Sequence, residues 1–203
     1  MPPHRVCQYV CMSRHKRRRI VVGSAKGGVG KTTIAAHLAR SLKATLVDLD
    51  PEGSTKAMRD HGLNIVYAAP PVSETECLVL DVPANTSSSA ARLNTAARHA
   101  THLIIPMRPG DLELDRLENT LSSIHGHVSE SVRVGVLLNF AGRDALTRDT
   151  LDALNWLQGE SRVPFSVIGS LPDRKAFTRA LTNGFRGTLH LPEYERVVQW
   201  ARK

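Results

Sequence analysis

Residues 24–33, Ser24-Ala-Lys-Gly-Gly-Val-Gly-Lys-Thr-Thr33, decide how the rest of the chain is read. They follow a short apolar run, Arg19-Ile-Val-Val-Gly23, and precede Ile34-Ala-Ala-His-Leu-Ala-Arg-Ser-Leu42, apolar at Ile34, Leu38 and Leu42. Strand, glycine-rich turn and helix, in that order, form the setting in which a phosphate-binding loop works. Gly27, Gly28 and Gly30 carry no side chain, so backbone N–H groups can close around phosphate oxygens. The new helix adds its free amides and the positive end of its dipole. Lys31 is spaced to reach the β- and γ-phosphates, and the Thr32 hydroxyl to ligate Mg²⁺. A glycine turn of purely structural purpose leaves the Gly-Lys-Thr-Thr order unexplained.

The loop departs from the common form G-x-x-x-x-G-K-[ST] in two places. Ala25 stands where that form has its first glycine, and a second lysine, Lys26, directly precedes the glycines. The run K-G-G-x-G-K-T resembles the deviant Walker A box of the ParA/MinD family of ATPases. That resemblance implies ATP and Mg²⁺ as cofactors, with Lys26, Gly27, Gly28, Val29, Gly30, Lys31, Thr32 and Thr33 around the nucleotide. In that family the early lysine crosses a two-fold interface to the nucleotide of the other subunit. By resemblance, Lys26 is a phosphate ligand in trans, and ATP joins a homodimer. The alternative is a solvated lysine touching only its own phosphates.

Two further stretches carry acids at strand ends. Thr45 to Leu49 reads as a buried parallel strand, and packing does not explain Asp48 and Asp50 at its carboxyl end. Open α/β sheets put ligands at that edge. The stretch Asp48-Leu-Asp-Pro-Glu-Gly-Ser54 resembles the family's box D-x-D-P-x-G-S, with Glu52 where relatives usually carry Gln. The resemblance implies that Asp48 supports the Mg²⁺ shell and that Asp50 orients the attacking water. Asp48 as an ordinary strand-end cap is the alternative. Cys77-Leu-Val-Leu-Asp81 has the Walker B pattern, an apolar strand ending in an acid that accepts hydrogen bonds from Mg²⁺-bound water. The short spacing between these boxes is similar to that of compact, ParF-like partition members.

Length and composition agree with this reading. At 203 residues with sparse aromatics, the chain suits one domain with an aliphatic α/β core. Three cysteines do not make a disulfide framework, and no Cys or His spacing suggests zinc or an iron–sulfur cluster. No apolar run approaches the roughly 20 residues that span a bilayer, and the expected setting is cytoplasmic, with association to the nucleoid implied by the family resemblance.

Of the net charge of +8, six positive charges fall in residues 1–19, at Arg5, Arg14, Lys16, Arg17, Arg18 and Arg19. Residues 1–18 therefore read as a basic extension and 19–203 as the ATPase domain. The extension either leans on a polyanion such as DNA or is a solvated tail, with Met12 an alternative start.

Downstream, strands are expected at 103–106, 132–138 and 165–171, and helices at 90–100, 111–124 and around Leu151, Leu154 and Leu157. Residues 85–89, Asn-Thr-Ser-Ser-Ser, read as the capping start of the first of these helices. Alternating strand and helix predicts a P-loop NTPase: a mostly parallel twisted sheet with helices on both faces. Residues 101–117 are similar to the family segment after Walker B. Asn139 ends a strand, where relatives use Asn to read the adenine edge, and Pro172-Asp173 resembles the loop over the base.

The family resemblance implies non-specific DNA as a partner, together with a ParB-like, centromere- or cargo-binding stimulator. Lys175 and Arg179, spaced i and i+4 on an expected helix, are the candidate phosphate contacts, with a solvated helix face as the alternative. Residues 193–203 mix Val197, Val198 and Trp200 with charges. A packed terminal helix is favoured over a lipid-binding tip because the apolar face is short. Three functions follow: a DNA-partition or cargo-positioning ATPase, a metabolic ATP-dependent ligase on the same scaffold, and a Min-like membrane-associated positioner.

Overall fold

The strands of this chain are too apolar to leave either face in water. His102–Met107 is buried at all six positions, and Ile20, Val21 and Val22 are each fully buried. Successive residues therefore serve opposite sides of one sheet: Ile20 and Val22 join one core cluster and Val21 the other. Helices must cover both sides, and they do. The computed structural model describes residues 17–50, 55, 58, 62–70, 77–84, 89–177, 179 and 192–203.

In chain order the elements are β1 (Arg18–Val22), α1 (Lys31–Leu42), β2 (Thr45–Asp48), β3 (Ile65–Val66), β4 (Cys77–Asp81), α2 (Ser89–Arg98), β5 (His102–Met107), α3 (Asp111–Ile124), β6 (Arg133–Ala141), α4 (Ala145–Glu160), β7 (Phe165–Pro172) and α5 (Pro192–Arg202). Seven strands form one sheet in the order β3-β2-β4-β1-β5-β6-β7, and every pairing is parallel. The expected "mostly parallel" sheet is thus parallel throughout these strands. Its two-residue strand β3 has no counterpart in the sequence reading. Arg18 already pairs with Cys77, so the sheet begins one residue before the expected boundary.

One face is covered by α1 and α5, whose Ile34, Leu38, Tyr194, Val197 and Val198 share a cluster with Leu46, Val79 and Ile104. The opposite face is covered by α2, α3 and α4 through Leu93, Leu117, Leu121, Ile124, Leu154 and Leu157. The apolar side of α5 is packed: Tyr194, Val197 and Ala201 are fully buried, and the Tyr194 hydroxyl donates to the Ile34 carbonyl at 3.2 Å. Among the described residues no helix is long and apolar enough to cross a membrane.

Pro106 lies inside β5, where a central strand ordinarily excludes proline. Ile104 faces β1 and accepts from the Gly23 N–H at 3.0 Å, so Pro106, two residues on, faces the same edge. Strand β1 has ended there, and no ladder bond is lost.

From β1 the chain moves to β2 and β3 at one edge, returns to β4 between β2 and β1, then crosses to β5, β6 and β7 at the other. That reversal leaves the carboxyl ends of β1 and β4 side by side, the position where open α/β sheets bind ligands.

Candidate functional site: a phosphate-binding loop ringed by acids

The loop from Gly23 to Gly30 rises from β1 and ends at the cap of α1. Gly28 has φ +71° and Gly30 φ +90°, both left-handed. Side-chain-bearing residues resist that conformation. At Gly30 a side chain would also have to displace the Asn139 amide, since a Cβ there would lie 2.3 Å from Asn139 Nδ2. Gly30 caps α1 with no side-chain hydrogen bond to the first amides, which leaves them available to an anion.

Lys31 is only 8% exposed, and its Nζ donates to the Lys26 carbonyl at 2.6 Å. Burial pulls its pKa below the ordinary lysine value, while Asp81 and Asp50 oppose that shift. Asp81 is 2% exposed, and its Oδ1 is buried with no hydrogen-bond partner. Burial raises its pKa to about 6; the charges of Asp48 and Asp50 push the same way, and the Thr32 hydrogen bond and Lys31 push back. A buried carboxylate oxygen without a partner, beside the Thr32 hydroxyl and a buried ammonium, fits a bound cation and phosphates.

The register aligns Val22, Asp81 and Asp48 on three adjacent strands. Asp48 is engaged locally, with three hydrogen bonds accepted by its carboxylate. Its Oδ1 accepts from the Asp50 N–H at 2.9 Å, and its Oδ2 from the Thr55 hydroxyl at 2.6 Å and the Thr55 N–H at 3.3 Å. The carboxylate therefore shapes the turn that carries Asp50, in the manner of a capping acid. Among the described residues no three His, Cys, Asp or Glu side chains converge as metal ligands. Mg²⁺ here would rest on Thr32, on Asp81 and on nucleotide oxygens, which suits an ion that keeps much of its water.

Lys26 behaves unlike Lys31. Its Nζ lies 3.8 Å from Glu113 Oε1 in the first turn of α3, with 38% of the side chain in solvent. Glu113 also accepts from Arg116 Nη1 at 2.5 Å.

On the other flank, Asn139 Nδ2 donates to the Val29 carbonyl at 2.9 Å. Asn139, Pro172 and Asp173, expected near the base, line one narrow crevice of about 30 Å³ with Gly30, Thr33 and Phe177. One amide donor of Asn139 is therefore committed to the loop backbone. Lys175 and Arg179 are both exposed, and Arg174 is paired with Glu193 at 3.1 Å. The basic extension through residue 16, Glu52 and the hydroxyls of 85–88 lie outside the described residues.

Sequence reasoning missed Glu113, Arg116 and Arg108 as neighbours of the loop. The Glu113–Arg116 spacing on a helix was a readable signal for an ion pair. Nothing local pointed from Arg108 to Gly28.

A glycine loop on the central strand of a parallel sheet, with a buried lysine and a carboxylate with one unpartnered oxygen beside it, defines a P-loop nucleotide-binding domain. Residues 20–185 match the CbiA family, the CobQ/CobB/MinD/ParA nucleotide binding domain. The chain belongs to that family, and ATP is the nucleotide of its ParA/MinD branch. Among its relatives, the maintenance of carboxysome distribution protein A of Gloeobacter kilaueensis is 31% identical over 121 residues, 51% of this chain and 55% of that one. The chromosome-partitioning ATPase Soj of Thermus thermophilus is 52% identical over 48 residues, 21% of this chain and 19% of that one. A substituted McdA from Cyanothece in complex with ATP superposes with a TM-score of 0.66 at 17% identity, over 94% of this chain and 96% of that one. The chain thus matches about half the length of the first curated relative and about a fifth of the second.

Proposed function

We infer that the chain is a dimerising positioning ATPase. ATP joins two copies, the pair binds DNA without sequence preference on the nucleoid, and a ParB-like or cargo-binding partner stimulates hydrolysis and release. The observation that supports this best is the unequal placement of two lysines five positions apart. Lys31 is buried in its own loop, whereas Lys26 stands outside it against α3. An ammonium outside its own loop suits a nucleotide held by a second copy.

In this reading the amides of Gly27 to Thr33 and the Lys31 ammonium hold the β- and γ-phosphates. Mg²⁺ at Thr32 and Asp81 supplies positive charge against the phosphate oxygens. Asp48 fixes the turn and supports the Mg²⁺ shell, and Asp50 accepts a hydrogen bond from the attacking water so that it lines up with the γ-phosphorus. Lys26 of the second copy adds charge where the transition state needs it. Lys175 and Arg179 meet DNA phosphates.

The relatives named for carboxysome distribution and chromosome partitioning support positioning over a metabolic ligase. Sedimentation with DNA and with liposomes, each with and without ATP, tests the reading. ATP-dependent, salt-sensitive pelleting with DNA alone is the expected result. Pelleting indifferent to nucleotide, or with liposomes only, contradicts it.

A further inference from the structure

A peptide unit is planar and trans, so the carbonyl of one residue and the N–H of the next point in opposite directions. Whatever holds a loop carbonyl outward therefore aims the following N–H inward. Asn139 does this at Val29, aiming the Gly30 N–H. A second side chain does it one peptide earlier: Arg108 Nη2 donates to the Gly28 carbonyl at 2.9 Å, which aims the Val29 N–H. Gly28 is left-handed, and a Cβ there would meet nothing within 4 Å. No side chain anchors Gly28 itself, and its carbonyl is held from outside the loop by the Arg108 guanidinium.

Arg108 is itself seated. Its guanidinium lies 4.1 Å from the centroid of the Phe140 ring, close enough for a cation–π contact. Phe140 has φ +58°, a conformation that bulky residues rarely adopt and that persists only where surroundings impose it. The β6–β7 register slips between Asn139 and Ala141. That irregularity sends the Asn139 amide to Val29 and the Phe140 ring to Arg108 from consecutive positions. One strained corner of β6 thus supports two adjacent peptides of the loop.

We propose that Arg108, seated on Phe140, is a positioning residue for the phosphate loop, holding the Gly28 peptide so that the Val29 N–H faces the nucleotide. The proposal rests on the nucleotide-binding reading above and adds to it the arginine that sets the loop before nucleotide arrives. Arginine suits the role because its planar, weakly hydrated guanidinium stacks and donates at once, which lysine does poorly.

Titration of a fluorescent ATP analogue with Mg²⁺ into the full chain tests it, with R108A, R108K, F140G and the R108A/F140G pair. Glycine at 140 keeps the left-handed backbone and removes only the ring. R108A and F140G are each expected to weaken binding about tenfold, the effect of one charge-assisted hydrogen bond. The pair should be no weaker than either single variant, since both break one device. R108K should restore only part of the loss, and melting without nucleotide should stay where the unsubstituted chain melts. Wild-type affinity in R108A or in F140G overturns the proposal, and so do losses that multiply in the pair. Failure of the unsubstituted chain to bind the analogue overturns the nucleotide reading and this proposal with it; normal binding by that chain and by R108A alike overturns this proposal alone.

Discussion

Lys31 Nζ holds the carbonyl oxygen of Lys26 at 2.6 Å, so one lysine of the loop fixes the backbone of the other. The Lys26 side chain then leaves the loop toward Glu113, while the Lys31 ammonium stays buried among acids. Two cations five residues apart are thereby given different environments, and different tasks follow.

Replacing Lys31 by Met removes the buried charge while keeping most of the volume. A charged hydrogen bond to phosphate is worth about 1.5–3 kcal/mol, so nucleotide affinity should fall by roughly ten- to a hundredfold or more. The rise in melting temperature on adding ATP and Mg²⁺ should shrink accordingly. An undiminished rise would remove Lys31 from phosphate binding.

Asp81 predicts a pH dependence of stability in chelator-treated, nucleotide-free protein. Burial raises its pKa from 3.8 to about 6, so the fold prefers the protonated side chain. Its contribution is full below pH 4 and is lost as pH rises through about 6. The amount is on the order of 2–3 kcal/mol. D81N should therefore melt above the unsubstituted chain at pH 8, with the gap closing by pH 4. A gap that does not vary with pH would mean that Asp81 is not a strained carboxylate.

Replacing Asp50 by Ala should leave nucleotide binding and ATP-induced dimers intact while hydrolysis slows by about a hundredfold or more. Phosphate release in single turnover reads this directly. Hydrolysis at the original rate would take the water-orienting task away from Asp50.

The terminal helix offers a test of packing. Tyr194 is fully buried, and its hydroxyl bonds the Ile34 carbonyl of α1. Y194F should cost about 1 kcal/mol, seen as a lower urea midpoint with unchanged slope. No change would mean that this bond contributes nothing to docking α5.

Much of this was legible because central parallel strands are continuous apolar runs. Strands β1, β2, β4, β5, β6 and β7 announced themselves, and the loop motif oriented the sheet edge around them. Strand β3 did not, since two residues carry no periodicity. The burial of Val197 and Val198 was expected of a packed terminal helix; that of Tyr194 was not read. The turn-shaping carboxylate of Asp48 was legible as one of two readings, because a strand-end acid can serve a turn, a metal shell or both. The Arg108–Gly28 and Asn139–Val29 bonds join residues 80 and 110 positions apart. Local patterns carry no trace of such contacts, and the left-handed backbone at Phe140 that arranges them breaks the propensity of its own residue type.

Analytical ultracentrifugation of the D50A chain and of D50A carrying K26Q, each with ATP and Mg²⁺, tests the central claim most directly. The D50A chain should sediment as a dimer with ATP and as a monomer without it, while the doubly substituted chain should bind ATP yet stay monomeric. An ATP-induced dimer that survives K26Q would contradict the crossing of Lys26 between copies.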